Sequence, residues 1–281
     1  QVSVCSSQAE NHPYGLQNSW LSSSNRQHQF GNLESLRSEL KSSFNFDEFA
    51  WPPDGELYPG RFVTDCEHIA SGSCRAAYLG TDTQTKQPVV IKQFVADHVD
   101  SRKLDRYWSE DIEASRVAQN FSNKYNEYMN TSKPIYFIIP IVHHCSNNIG
   151  QPFKSCERVL IEPYLGDSYE KFNTNHGMII QSSTQGFSMP TLSHFSYHIS
   201  GGQYLLCDLQ GIKKSGRYIL TDPVICSLTE QFGLTDLGED GIRSFFANHK
   251  CTPLCEISWL KHPSPQQYPH NITLHGTLFR F

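Results

Sequence analysis

No stretch of this sequence approaches the roughly 18 uninterrupted apolar residues that a membrane-spanning helix needs, so no such segment is expected. Positive charge is also not in excess. With 23 Lys and Arg against 28 Asp and Glu, the formal net charge is −5, so the basic surface of a nucleic-acid binder is not expected. No secretory signal opens the chain, which starts with Gln rather than Met, and we expect it to be a piece of something longer. There are no internal repeats. Nor is there the short, evenly paired cysteine pattern of a disulfide scaffold. Nine cysteines in 281 residues are an odd number in a chain too long to need staples. Reduced thiols and a cytoplasmic location are the expectation.

What is present divides along the chain. Residues 1–58 are rich in Ser, Asn and Gln and hold too little apolar surface to offset the entropy of ordering, so this tail is expected to be largely disordered. Its run Phe44, Phe46, Phe49 and Trp51 is either a docking element or a sticky linker. Order is expected from about Arg61. The stretch from Ile69 to Leu79, a turn from Gly80 to Pro88 and the apolar run Val89-Val90-Ile91 predict a hairpin. Ser109, followed by Glu110 and Asp111, predicts the start of a helix that buries Ile112, Ala118, Phe121, Tyr125 and Met129. The stretches from Tyr136 to Val142 and from Val159 to Ile161 read as strands, and the polar stretch from Asn173 to Gly186 as a loop. Strands, helix and strands, then helix, hairpin and helix, predict a two-lobed α+β protein.

Two carboxylates bracket one short hairpin. Tyr204 to Cys207 is an apolar strand ending in Asp208, and Arg217 to Leu220 is a second one ending in Thr221-Asp222-Pro223. The polar run Ile212-Lys213-Lys214-Ser215-Gly216 between them has turn composition. Folding residues 209–221 back on themselves brings Asp208 and Asp222 together across the open base. Carboxylates that close repel unless a cation lies between them. Magnesium carrying a nucleotide phosphate fits, because it takes one or two carboxylates plus phosphate oxygens and water. Gln210, two positions from Asp208, adds a neutral oxygen on the same side.

Phosphoryl transfer also needs a cation from the protein and a place for the base. Lys92 follows Val89-Val90-Ile91 on a strand, where its ammonium serves as a point charge for phosphate. Upstream, Ser71-Gly72-Ser73-Cys74-Arg75 is small enough for main-chain amides to approach phosphate. Glu162, between Val159-Leu160-Ile161 and Pro163, offers a carboxylate or carbonyl to an adenine amino group.

Near the C-terminus, His249-Lys-Cys251-Thr-Pro-Leu-Cys255 sets three strong metal ligands within seven positions. It follows Ile242, Phe245 and Phe246, which share one helix face. An imidazole at a helix end beside two thiols is three corners of a tetrahedral zinc site, so the fourth ligand must come from a distant segment.

Four motifs together, Asp208-Leu-Gln-Gly, Leu220-Thr-Asp-Pro223, Thr235-Asp-Leu-Gly-Glu-Asp-Gly-Ile242 and His249-x-Cys251-x3-Cys255, resemble the α-kinases in order and spacing. These atypical protein kinases include myosin heavy-chain kinases, elongation-factor-2 kinase and channel-kinase domains, and they lack the H-R-D and D-F-G motifs of conventional kinases, as this chain does. The resemblance implies an α-type kinase domain over residues 59–264, with an N-lobe to about residue 160, a zinc-stabilised C-lobe from about 161, and a C-terminal extension over 265–281. It implies an ATP-dependent serine/threonine protein kinase that uses Mg²⁺ and structural Zn²⁺ and acts on a protein substrate, with helical or coiled-coil targets among the candidates. It further implies Asp208 as the catalytic aspartate and Gln210 and Asp222 as magnesium ligands. Lys92 and Arg75 would take the phosphates and Glu162 the adenine, with Glu110 or Glu113 as the helical acid beside Lys92. The family spacing makes His194 the fourth zinc ligand, with His198 one helical turn away as its competitor, and puts the substrate-docking loop at Thr235 to Gly241. Two other readings stand beside this one: a catalytically silent pseudokinase, and a zinc-stabilised interaction module that binds no nucleotide.

Overall fold

Residues 62–71, 75–83, 86–94, 104–144, 158–166, 168–180 and 186–268 are those that the structure, a computed structural model, describes. The tail over 1–58, Gly72 to Cys74 of the small-residue loop and residues 269–281 lie outside them.

The expected hairpin forms. β2 (Arg75–Asp82) and β3 (Pro88–Phe94) pair antiparallel, with Thr81 opposite Pro88. β1 (Phe62–Ser71) extends this pair on one side. On the other side lie β6 (Arg158–Pro163) and then β5 (Ile141–His144), giving a five-stranded sheet in the order β1-β2-β3-β6-β5. Val89, Ile91, Ile141, Val159 and Ile161 are all buried in its core. Alternate β-branched residues suit a pleated surface that buries one face.

Helix α1 (Leu104–Met129) starts six residues before Glu110, where a cap at Ser109 would begin it. Ser109 lies inside it and donates its hydroxyl to the Arg106 carbonyl at 2.8 Å, so the side chain that fits a cap serves here as an internal back-bond. Tyr107 and Trp108 pull the helix start onto the sheet, with Trp108 packed 4.2 Å from the Phe94 ring. Farther along, Ala118, Phe121 and Tyr125 enter the larger core with Phe137, Phe195 and Leu206. The predicted face is the buried one. Phe121, fully buried, is a residue whose truncation to Ala typically costs about 3–5 kcal/mol.

The stretch from Tyr136 to Val142 is not one strand. It divides into β4 (Ile135–Phe137) and β5, which belong to different sheets. Pro140 lies between them and has no N–H to give a ladder. β4 joins a four-stranded sheet of order β4-β10-β9-β7, formed with β7 (Glu170–Lys171), β9 (Gln210–Lys214) and β10 (Arg217–Thr221). β8 (Tyr204–Cys207) and β11 (Val224–Ser227) form a separate two-stranded ladder. Helices α2 (Ser188–Ile199) and α3 (Gly238–Asn248) complete the α+β architecture.

Residues 173–180 of the polar stretch hold only an isolated bridge between Asn173 and Ile179, but their first part is not a surface loop. Asn173, Thr174, Asn175 and His176 are all buried. Their polar groups are used internally: Asn173 Oδ1 accepts from Leu209 N at 2.7 Å, and the His176 carbonyl accepts from Ser244 Oγ at 2.7 Å. Polar residues go inside when their bonds are met there.

Candidate active site and metal centre

The chain breaks twice at an aspartate, and the two breaks face each other. β8 ends at Cys207 and β9 starts at Gln210, while β10 ends at Thr221 and β11 starts at Val224. Thr221 pairs with Gln210 on one side of the break, and Val224 with Cys207 on the other. One long hairpin is therefore bent between two sheets, with Asp208 and Asp222 at the bend. Both take left-handed backbone, φ 55° and 49°. Asp visits that region more readily than most residues because its short polar side chain bonds locally. Gly211 just beyond has no substitute: a Cβ there would lie 2.1 Å from the Ile219 carbonyl oxygen.

The bend opens into a cleft of about 500 Å³ lined by Arg75, Lys92, Glu162, Lys171, Asp208, Gln210, Asp222 and Thr235 among others. That volume is typical of small-ligand sites. Gln210 bridges the two breaks, with its Nε2 donating to Asp208 Oδ2 at 3.3 Å and to the Asp222 carbonyl at 3.4 Å. The predicted residues thus share one cavity.

Charge in the cleft is arranged as a ladder. Lys92 Nζ, on buried β3, contacts Glu162 Oε1 and lies 2.5 Å from Asp222 Oδ2. Arg75 Nη1 takes the other Asp222 oxygen at 3.0 Å, and Arg75 Nη2 reaches Asp111 Oδ1 at 2.7 Å. Burial opposes the charge on Lys92, but Asp222 and Glu162 outweigh it and raise its pKa above the usual lysine value. Burial likewise works against ionised Asp222, yet Lys92 and Arg75 together hold its pKa below the ordinary carboxylate value. Glu162, which Lys92 meets, goes the other way: burial raises its pKa and Lys92 opposes. Asp111 is pushed up by burial to about 6 despite Arg75.

The helical acid in this ladder is therefore Asp111, and it serves Arg75 rather than Lys92. Glu110 instead pairs with Arg106 at 2.5 Å, one turn away on the same helix. Sequence reasoning saw Asp111 only as a helix-dipole acid. Glu162 is the last residue but one of β6, and its carboxylate is also the acceptor of the Thr221 hydroxyl. Lys171, which the sequence analysis passed over, is the partner of Asp208, with Nζ 2.8 Å from Oδ1. Nothing in the run Tyr169-Glu170-Lys171-Phe172 marks it, because its role comes from the pairing of β7 with β9.

A second cluster lies at the far end of α3. His194, His249, Cys251 and Cys255 present ligand atoms that all lie within 4.8 Å of one another. His249 Nε2 is 3.2 Å from His194 Nδ1 and 3.7 Å from Cys255 Sγ, and Cys251 Sγ is 3.8 Å from His194 Nδ1. Such separations suit the edges of a tetrahedron around an ion with metal–nitrogen bonds near 2.0 Å and metal–sulfur bonds near 2.3 Å. His194 is also oriented: its Nε2 meets the Leu260 carbonyl at 2.9 Å, which leaves Nδ1 for the cluster. His198, the competing ligand, is used elsewhere, with its Nδ1 accepting from Leu260 N at 3.2 Å. Burial lowers the pKa of both His194 and His249, the latter to about 4, so both imidazoles are neutral near pH 7, as ligation requires.

Comparison with known proteins places this geometry. Residues 70–255 match the sequence profile of the Alpha-kinase family. The chain is 34% identical over 202 residues to alpha-protein kinase vwkA of Dictyostelium discoideum, a match covering 70% of this chain and 31% of that protein. The chain thus spans about a third of that curated relative. Its fold is similar to that of an alpha kinase from Entamoeba histolytica, with a TM-score of 0.61 at 23% identity, covering 78% of this chain and 85% of the other. It is also similar to an inactive form of the alpha-kinase domain of Dictyostelium myosin-II heavy chain kinase A complexed with ATP. There the TM-score is 0.56 at 25% identity, with 69% of this chain and 87% of the other covered.

Proposed function

The chain belongs to the alpha-kinase family, and from that membership we propose that it is an ATP-dependent serine/threonine protein kinase whose kinase domain occupies about residues 59–264. The observation that carries the proposal is the bent hairpin, which brings Asp208, Gln210 and Asp222 into one cleft with Lys92 and Arg75. That set offers what phosphoryl transfer asks of a protein, positioning together with electrostatic neutralisation.

Asp208 is the group that orients the acceptor hydroxyl and takes its proton, with Lys171 holding the carboxylate in place. Lys92 and Arg75 stand where they neutralise the phosphates. Asp222 and Gln210 would hold the magnesium ion, which would supply charge neutralisation to the transferring phosphate. Each Asp222 oxygen accepts from one cation here and keeps a lone pair with which it would hold the ion. With the Glu162 carboxylate engaged by Lys92 and Thr221, the adenine amino group meets the main chain of β6 at this point, and Glu162 fixes the lysine.

Zinc at His194, His249, Cys251 and Cys255 is structural in this reading. It ties α2 to the loop after α3, and part of its binding free energy is folding free energy. Among the described residues Cys207, Cys226, Cys251 and Cys255 are free, which fits a cytoplasmic protein. Among the described residues no helix is long and apolar enough to cross a membrane.

Incubating the purified chain with Mg-ATP and a basic helical peptide or a myosin tail fragment tests the proposal. We expect phosphate on Ser or Thr side chains of the acceptor. No transfer, with a melting temperature still raised by Mg-ATP, would identify a pseudokinase. No rise at all would identify an interaction module.

A further inference from the structure

Asp208 stands between two ladders. Before it, Cys207 of β8 pairs with Val224; after it, Gln210 of β9 pairs with Thr221 on one side and Lys171 on the other. The peptide that joins Asp208 to Leu209 falls in the gap, where β8 has ended and β9 has not begun. Asp208 has left-handed backbone there, φ 55°, which is costly for a residue with a Cβ and persists only where the surroundings hold it. One segment does the holding. Phe172 N donates to the Leu209 carbonyl at 2.8 Å, and Asn173 Oδ1 accepts from Leu209 N at 2.7 Å.

The Leu209 N–H belongs to the same planar unit as the Asp208 carbonyl, so a bond that fixes this N–H also fixes ψ of Asp208. Alternation along the chain divides the work. Lys171 and Asn173, two positions apart, turn to one side, while Phe172 between them enters the core. Lys171 takes the carboxylate, with Nζ 2.8 Å from Oδ1, and Asn173 takes the main chain behind it.

Asn173 is itself held. It is only 2% exposed, and its Nδ2 donates to Ser193 Oγ at 3.1 Å, on α2. One turn further along that helix, Ser196 Oγ accepts from Leu206 N at 2.8 Å. Helix α2 therefore anchors both the strand that leads into Asp208 and the amide that fixes the peptide after it. A side chain that only filled this space would need no acceptor. Asn173 instead satisfies a main-chain donor of a fully buried residue.

We propose that Asn173 is a positioning residue for Asp208, setting the backbone angle from which the carboxylate reaches the acceptor hydroxyl. The inference rests on the kinase reading above. Without the amide, the Asp208–Leu209 peptide turns toward ordinary backbone and carries the carboxylate out of line. Arg75, Lys92 and Glu162 are on other strands and stay in place. The signature of this role is a loss of kcat with nucleotide binding kept.

The experiment compares steady-state transfer from Mg-ATP to a basic helical peptide with equilibrium binding of a fluorescent ATP analogue, at a temperature where the variants are folded. Asn173→Ala is expected to lower kcat by about 100-fold, the scale of a displacement near 1 Å at a reacting group, and to change the Kd for the analogue by less than about threefold. Asn173→Asp keeps an oxygen for Leu209 N in either protonation state and is expected to recover about tenfold of that loss. Ser193→Ala frees the amide to turn and is expected to lower kcat severalfold. Wild-type kcat in Asn173→Ala overturns the positioning role. So does an equal loss of analogue binding, which marks general support of the cleft, and so does an Asn173→Asp variant no more active than Asn173→Ala. Where Asn173→Ala does not fold, Ser193→Ala decides: reduced kcat with unchanged analogue binding supports the role, and unchanged kcat overturns it. A wild type that transfers no phosphate overturns the kinase reading and the positioning role with it, whereas an active wild type with an equally active Asn173→Ala overturns the positioning role alone.

Discussion

Lys171 Nζ lies 2.8 Å from Asp208 Oδ1, so the proposed catalytic carboxylate is paired with a cation before any substrate arrives. Asp208 is almost wholly buried, where a carboxylate needs charged or hydrogen-bonding partners, and Lys171 is one of them. Asp208→Ala is expected to abolish transfer to peptide while leaving the melting temperature near that of the wild type. Lys171→Met keeps the aspartate but removes its orienting charge. We expect kcat to fall by about 10- to 100-fold and the KM for ATP to change less, with Lys171→Arg restoring much of the loss. An unchanged kcat in Lys171→Met would show that Lys171 does not position Asp208.

In the ladder Lys92 meets Glu162 and is one of two cations on Asp222. Lys92→Met leaves Glu162 buried with the Thr221 hydroxyl as its remaining partner. Breaking a buried pair by removing one member typically destabilises by about 3–5 kcal/mol. Denaturant unfolding is expected to show a loss on that order at pH 8. The loss shrinks toward pH 5, because Glu162, whose pKa burial already raises, then takes up a proton and needs no partner. A variant as stable as the wild type at pH 8 would contradict the structural part of this pairing.

The cluster at His249 gives a pH dependence of known sign. Burial first, then His194 and Lys261, lower the His249 pKa from 6.5 to about 4. The folded protein keeps this imidazole neutral while the unfolded chain binds a proton more readily. The resulting stability is complete above pH 6.5 and is lost as pH falls from there through about 4. A metal held by His249 acts in the same direction, since protons compete for its nitrogen. Metal analysis is expected to find about one zinc per chain at pH 7.5, released by acid or a strong chelator together with a fall in melting temperature. Cys251→Ala is expected to lower soluble yield, and a stable, metal-free variant would count against structural zinc.

Much of this was legible in the sequence because it follows from local pattern. The β2–β3 hairpin, the buried face of α1 and the bent hairpin at Asp208 and Asp222 all come from periodicity and turn residues within a few positions. His194 was reached only through the family spacing, since 55 residues separate it from His249. Lys171 and Asp111 were not legible. Each acquires its role from a partner more than 30 positions away in the chain, Asp208 for one and Arg75 for the other, and a lone Lys or a first-turn helical acid carries no local mark of that. Ser109 misled because one hydroxyl serves a helix cap and an internal back-bond equally well. The buried run from Asn173 to His176 misled because polar composition reports exposure only where the polar groups lack internal partners.

Asp236 is fully buried and shows what holds the proposed substrate-docking loop. Its carboxylate accepts from Ser227 N at 2.9 Å, Ser227 Oγ at 2.6 Å, Phe232 N at 3.2 Å and Gly238 N at 2.9 Å. These bonds pin the end of β11, the turn after it and the start of α3 to one side chain. Thr235, the preceding residue, lines the cleft, and its carbonyl accepts from Asn175 Nδ2 at 3.2 Å. Removing the carboxylate leaves buried main-chain donors unpaired, at about 1–3 kcal/mol for each one that water does not reach. Asp236→Ala is therefore expected to lower stability by about 3 kcal/mol or more. Asp236→Asn keeps the shape and one acceptor oxygen, so it is expected to lose roughly half as much. In Asp236→Asn the loop is still formed but less firmly held. The KM for peptide is then expected to rise several-fold, with the Mg-ATP-induced gain in melting temperature unchanged. If the rise in peptide KM came with a smaller Mg-ATP-induced gain in melting temperature, Asp236 would be supporting the whole cleft and not the docking loop.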